Sequence, residues 1–317
     1  MISLKDVYKS YSGSCALNGI SFDVLKGEVL GFLGPNGAGK TTTMRILTGL
    51  LVPTFGEVLV DGIDVLKCPV DVKKLIGYLP ENNPLPRDLK VAEYLSFRGR
   101  LKGLRGSFLK QRLGYVLEKC MIDDVANKLI SVLSKGYRQR VGLAETLIHD
   151  PEILILDEPT VGLDPAQIRK VRKLIKDIGR KRTVILSTHT LSEAEAVCDR
   201  VVIIKNGEIQ AIDTTENLSK FAQNVSKIEV EVKHNTIQFE KFLTDSAWKW
   251  EKEAVGVDHY LYQIEHDISD DIRENIFRAV IKNKSVLLGM SVTQISLEDV
   301  FIDMVADSKT DSGGAVR

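Results

Sequence analysis

Residues 34–41 read Gly-Pro-Asn-Gly-Ala-Gly-Lys-Thr, and this octapeptide restricts the chain to a small set of folds. It follows an apolar run, Val29–Leu33, and opens onto a helix-like stretch, Met44–Leu50. A strand, a glycine-rich loop and a helix in that order make a phosphate-binding loop. Gly34, Gly37 and Gly39 remove side chains, so successive backbone N–H groups turn inward on a phosphate chain, and Pro35, Asn36 and Ala38 complete the nucleotide-binding loop. The helix N-terminus behind them adds its partial positive charge. Lys40 reaches the β- and γ-phosphates, Thr41 offers its hydroxyl to Mg²⁺, and Thr42 joins them among the nucleotide-binding residues.

A second element narrows the field. Ile153–Leu156 is a short apolar run that ends in Asp157 and Glu158. An acid at the tip of a buried strand is placed to hold Mg²⁺ directly or through water, the role expected of Asp157. Glu158 is placed to orient and deprotonate an attacking water. Surface acids capping a strand would look the same in isolation; beside a phosphate loop they point to nucleotide hydrolysis.

Val29–Leu33, Ile153–Leu156 and Val184–Leu186 lack polar alternation, as expected of strands buried on both faces of a parallel sheet. Asp61-Gly62 and Asn206-Gly207 each separate two strand-like runs and predict hairpins. The stretch 89–148 reads as helices. Asp164-Pro165 predicts a helix start, with Ile168, Val171, Ile175 and Ile178 on one face and a solvated basic face opposite. Composition shifts near Thr214. Beyond it the pattern predicts strand (228–232), helix (239–247), two strands (248–255 and 260–264), a helix capped by Ser269, and a strand near Val286. That β-α-β-β-α-β order suits a small ferredoxin-like domain. A short helix (297–305) and a disordered tail (307–317) follow.

The chain has 317 residues, 44% of them apolar, enough for two packed domains. Lys plus Arg and Asp plus Glu number 43 each, so no net charge favours nucleic acid. The apolar runs are too short to cross a bilayer, and MISLKDVYKS lacks the basic and apolar regions of a signal peptide. A cytosolic location is therefore expected. Cys15, Cys68, Cys120 and Cys198 are scattered, which predicts reduced, mostly buried thiols and no zinc site.

Between the two acid and phosphate motifs lies Leu133-Ser134-Lys135-Gly136-Tyr137-Arg138-Gln139-Arg140. This resembles the signature loop of the ABC (ATP-binding cassette) ATPases, commonly Leu-Ser-Gly-Gly-Gln. Other motifs of that family stand in order around it. Tyr11 matches the A-loop aromatic that stacks on adenine, Glu81 stands at the Q-loop glutamine, Gly162-Leu163-Asp164 matches the D-loop, and His189 matches the switch histidine. The resemblance covers residues 2 to 215. It implies an α/β P-loop NTPase core with an antiparallel β subdomain and a helical subdomain (about 89–148), forming a cassette over 1–215. Residues 216–306 then make a small α+β accessory domain.

The resemblance further implies ATP as substrate with Mg²⁺, and Lys40, Glu81, Glu158 and His189 as the hydrolytic residues. Thr41, Glu81 and Asp157 would hold the metal. Ser134 and Gly136, at a helix start, would close over the γ-phosphate bound to a second copy, or to a homologous subunit, in a head-to-tail dimer. Asp164 would lie at the same interface. Integral membrane permease subunits would bind near residues 82–94 and hold the protein at the cytoplasmic face of the membrane. Lys135, Tyr137 and Glu81 depart from the common motifs. These departures, with Ser296–Phe301, resemble the exporter branch with separate ATPase subunits, often called ABC-2. A soluble ABC ATPase acting on ribosomes or DNA is the alternative; the single cassette and zero net charge disfavour it.

Overall fold

The computed structural model describes residues 1–218, 225–233, 238–246, 248–267 and 270–294. Two compact units divide at Thr215, Met1–Thr215 and Glu216–Arg317.

The first unit carries two sheets. One is antiparallel, built from β1 (Ile2–Tyr11), β2 (Ser14–Val24), β4 (Phe55–Val60) and β5 (Ile63–Asp64) in the order β2-β1-β4-β5. The other is six-stranded, with β3 (Val29–Leu33), β6 (Ile76–Leu79), β7 (Ile153–Asp157), β8 (Thr183–Thr188), β9 (Arg200–Lys205) and β10 (Glu208–Thr214) in the order β10-β9-β3-β8-β7-β6. All of its pairings are parallel except β9 with β10. Every residue of β3, β7 and β8 is buried, which accounts for their unbroken apolar runs.

Helix α1 (Lys40–Leu47) packs within a core shared by both sheets, with Met44, Ile46 and Leu47 fully buried beside Leu4, Ile20, Phe32 and Val60. Each such side chain stabilises the core by roughly 1.5–3 kcal/mol. The helix is shorter than the apolar pattern to Leu50 suggests. It ends at Leu47 because Gly49 takes a left-handed φ of 64°, and Leu50 emerges exposed.

Both predicted hairpins form. Val60 pairs with Ile63 and Lys205 with Glu208, with Asp61-Gly62 and Asn206-Gly207 at positive φ. Helix α2 (Pro69–Leu75) precedes β6, and the region 89–148 holds α3 (Val91–Leu101), α4 (Gly106–Lys119) and α5 (Lys135–Leu147). Helix α6 (Pro165–Gly179) buries Val171, Ile175 and Ile178, and its N-cap Asp164 accepts from the Gln167 amide at 2.9 Å. Helix α7 (Leu191–Val197) follows β8.

All four cysteines are free. Cys120 and Cys198 are buried, but Cys15 and Cys68 are exposed, which corrects the expectation of mostly buried thiols. Cys15 lies just past the β1–β2 turn and Cys68 just ahead of α2, where the chain runs over the surface. Burial pushes the Cys120 thiol up to about 12.

The second unit is β11 (Val225–Lys233), α8 (Gln238–Asp245), β12 (Lys249–Gly256), β13 (His259–Asp267), α9 (Arg273–Lys282) and β14 (Val286–Gln294). Its sheet is antiparallel throughout, in the order β12-β13-β11-β14, the split β-α-β arrangement. Ile228, Val230 and Val232 alternate inward against Phe239, Leu243, Ile276 and Val280 of the helices. Tyr262 meets Phe239 edge-on at 5.1 Å. The proposed Ser269 cap, the 297–305 helix and the tail lie outside the described residues.

Candidate functional site

The phosphate loop bridges β3 and α1. Gly39 caps the helix at φ 110°, a conformation open to glycine alone. At Gly34 a Cβ would collide with the Ile204 carbonyl oxygen, so only glycine lets the loop leave the sheet this close to β9. Lys40 is buried and bends back over the loop, donating to the carbonyl oxygens of Gly34 at 2.7 Å and Pro35 at 3.1 Å.

Glu158 follows β7 at φ 48°, the left-handed region that a non-glycine residue enters at a cost. Its amide donates to Ser187 Oγ at 3.0 Å, which holds the turn. The turn points the carboxylate at two partners: Lys40 Nζ lies 3.4 Å from Oε1, and His189 Nδ1 lies 2.9 Å from Oε2. Asp157 is fully buried. Its Oδ1 accepts from Ser187 Oγ at 2.5 Å, while Oδ2 has no hydrogen-bond partner among the described residues.

A cavity of about 440 Å³ opens over these groups. Thr41, Thr42, Glu81, Glu158 and His189 line it together with the loop residues Asn36, Gly37, Gly39 and Lys40. Residues far apart in sequence thus converge on one space bounded by a helix N-terminus. Backbone amides and Lys40 supply anion-binding groups there, and Glu158 with His189 supplies groups that accept and relay protons.

Other residues singled out from the sequence lie outside that lining. Tyr11, at the end of β1, is exposed, with the Lys9 ammonium 5.1 Å from its ring centre. Ser134 caps α5, its Oγ accepting from the Tyr137 amide at 3.3 Å. Gly136 leaves no room for a side chain beside Gln167 of α6, and the Lys135 ammonium lies against Gly162. The signature and D-loop segments therefore pack on each other, away from the cavity of their own chain. Tyr137 Oη donates to Asp124 at 2.7 Å and its ring faces Arg140 at 4.2 Å.

Sequence reasoning did not single out Ala16 and Val161, which complete the lining. In the sequence Ser187 and Thr188 stand out only as the residues ahead of His189; the bonds of Ser187 to Asp157 and Glu158 are a finding of the structure. Nothing in the spacing marked Thr160 and Glu193, which with Thr188 form a buried polar cluster behind the site.

Among the described residues no helix is long and apolar enough to cross a membrane. The family described as ABC transporter matches residues 17–161. The ABC transporter ATP-binding protein YxlF of Bacillus subtilis (strain 168) is 35% identical over 307 residues, covering 96% of this chain and 99% of the relative. ABC transporter A family member 7 of Arabidopsis thaliana is 32% identical over 97% of this chain, which spans 34% of that longer protein. A solved dimer of the ATP-binding cassette MJ0796, in a post-hydrolysis state bound to ADP and Pi, superposes with a TM-score of 0.63 at 27% identity, covering 68% of this chain and 99% of the other. The chain belongs to the ABC transporter ATP-binding protein family and is an ATP-binding, ATP-hydrolysing cassette.

Proposed function

We propose that this chain is the ATPase subunit of an ABC-2 type exporter, driving separate integral membrane subunits through ATP-dependent dimerisation. The observation that carries the reading is the convergence of Lys40, Glu158 and His189 at 2.9 and 3.4 Å over the phosphate loop. Residues 1–215 serve as the cassette, with 89–148 as its helical subdomain, and 216–306 as an accessory domain.

In this reading the loop residues Gly34–Thr42 bind the triphosphate and Tyr11 stacks on the adenine. Glu158 takes the proton of the attacking water, and His189, whose Nδ1 lies 2.9 Å from Glu158, donates to the γ-phosphate. Ser134, Gly136 and Asp164 belong to the other half of a composite site and meet the nucleotide of a second copy head to tail. Their packing away from the chain's own cavity supports this, as does the dimeric state of the MJ0796 cassette.

The residues fit a hard divalent cation. Asp157 Oδ2 is a buried carboxylate oxygen without a hydrogen bond, and Thr41 and Glu81 add oxygen donors at the cavity. These few oxygen donors suit Mg²⁺, which takes few protein ligands and completes its shell with phosphate oxygens and water. When bound, it would neutralise phosphate charge.

A groove of about 580 Å³ takes in the chain on both sides of Glu81, from Pro80 and Asn82, with Tyr94, Arg98, Glu145 and His149 also lining it. It is the proposed seat of the membrane subunits, which would hold the protein at the cytoplasmic face of the membrane. Its adjacency to Glu81 supports coupling between nucleotide and partner.

The test is Glu158→Gln. Loss of a general base lowers turnover by about 10²–10⁴-fold. Light scattering should find the variant as a dimer with MgATP and a monomer without it. Turnover at the wild-type rate would overturn the assignment.

A further inference from the structure

Behind the nucleotide cavity one carboxylate joins segments that the site needs in fixed relation. Glu193 of α7 is only 8% exposed. Its Oε1 accepts from Thr160 Oγ at 2.6 Å and its Oε2 from Thr188 Oγ at 2.8 Å. Arg172 of α6 stands 3.6 Å from Oε1 and balances the charge. Both threonines are buried.

Each partner belongs to a different working part. Thr160 lies two residues after Glu158, in the segment that runs to Asp164, and its carbonyl accepts from the Leu163 amide at 3.2 Å. Thr188 precedes His189, and its carbonyl accepts from the Gly34 amide at 3.3 Å, where the phosphate loop begins. Arg172 sits on the helix that Asp164 caps. One side chain thus spans the segment after Glu158, the strand end bearing His189, and α6.

A carboxylate suits this place. It accepts at both oxygens and donates at neither, so one residue can accept hydrogen bonds from two hydroxyls. An apolar replacement would strand two buried hydroxyls, and glutamine would present a donor to one of them.

We propose that Glu193 is a positioning residue for ATP hydrolysis, fixing Glu158 and His189 relative to each other. The inference rests on the hydrolytic roles read for Glu158 and His189. Glu193 is not placed to touch nucleotide: it is absent from the cavity lining and acts through Thr160 and Thr188.

The test is steady-state ATPase kinetics with MgATP binding and denaturation measured in parallel, on Glu193→Ala, Glu193→Gln, Thr160→Val and Thr188→Val. We expect Glu193→Ala to lower kcat by at least about tenfold while the Kd for MgATP stays within about twofold, the signature of an interaction made for the chemical step. Glu193→Gln, which keeps one acceptor, should fall less. Each valine variant should lower kcat several-fold, and Glu193→Ala combined with Thr160→Val should be clearly less than additive. A merely structural role would lower the unfolding midpoint and leave kcat intact well below it. The valine variants remove one hydroxyl each and carry the test if Glu193→Ala fails to fold. Wild-type kcat in folded Glu193→Gln and both valine variants would overturn the proposal. Glu158→Gln is run alongside: if it hydrolyses normally, the site reading falls and this inference with it, whereas an inactive Glu158→Gln beside fully active Glu193 variants removes this inference alone.

Discussion

Lys40 and Glu158 face each other at 3.4 Å, both almost wholly buried, at the mouth of the phosphate loop. The ammonium also donates to the Gly34 and Pro35 carbonyls, so each of these contacts lies within the loop and the acid that border the cavity. Together they hold the cation over the loop, where a phosphate chain is expected to bind.

Lys40→Ala should therefore weaken nucleotide binding before it affects any chemical step. A charge-assisted bond contributes about 1.5–3 kcal/mol, so the Kd for ATP should rise roughly tenfold to hundredfold. Isothermal titration with ATP checks this. Unchanged affinity would remove Lys40 from phosphate binding.

Ser134→Arg should separate binding from assembly. Ser134 lies outside the cavity of its own chain, so nucleotide affinity of the monomer should match wild type. A bulky cation at the α5 start should block the ATP-dependent dimer expected of Glu158→Gln. Light scattering of the double variant with MgATP is the measurement, and a dimer of normal size would exclude Ser134 from the interface.

Tyr11 is exposed at the end of β1, with the Lys9 ammonium over its ring, and the stacking role read for it predicts a loss of affinity on truncation. Aromatic stacking on a base contributes about 1–3 kcal/mol, so Tyr11→Ala should weaken ATP binding by roughly fivefold to hundredfold. Tyr11→Trp should restore it. Equal affinity across the series, measured by fluorescence titration, would reassign Tyr11 to the surface.

His149 sets a pH dependence of stability. Burial, followed by the Lys102 charge, lowers its pKa from 6.5 to about 4, and Nε2 meets the Ile76 carbonyl at 3.2 Å. The unfolded chain takes up this proton near 6.5 and the folded chain only near 4. Between those values the unfolded state holds more protons, so stability falls as pH drops from 6.5 towards 4, by at most roughly 3 kcal/mol. Urea unfolding at pH 7 and pH 5 should show a smaller loss in His149→Gln than in wild type. Equal losses would show that His149 does not titrate on unfolding.

What could be read from the sequence was local. The phosphate loop binds through consecutive backbone groups, so its eight residues announce it. Three central strands showed through unbroken apolar runs because both their faces are covered. The Asp164 cap and the Asn206-Gly207 hairpin also follow from neighbouring residues. The Thr160–Glu193–Thr188 cluster does not, because it joins three segments through tertiary packing and its members look ordinary in their own neighbourhoods. The exposure of Cys15 and Cys68 escaped for the same reason. Composition measures hydrophobicity, whereas burial is decided by which surface another segment reaches.

The core around Phe32 and Met44 and the core around Phe239 and Tyr262 share no residue, and the chain passes between the two units at Thr215. Among the described residues, a genetic crossover near that codon would cut neither of these two clusters. The second unit would carry this core intact into a recombinant chain, so its ancestry need not match that of the first.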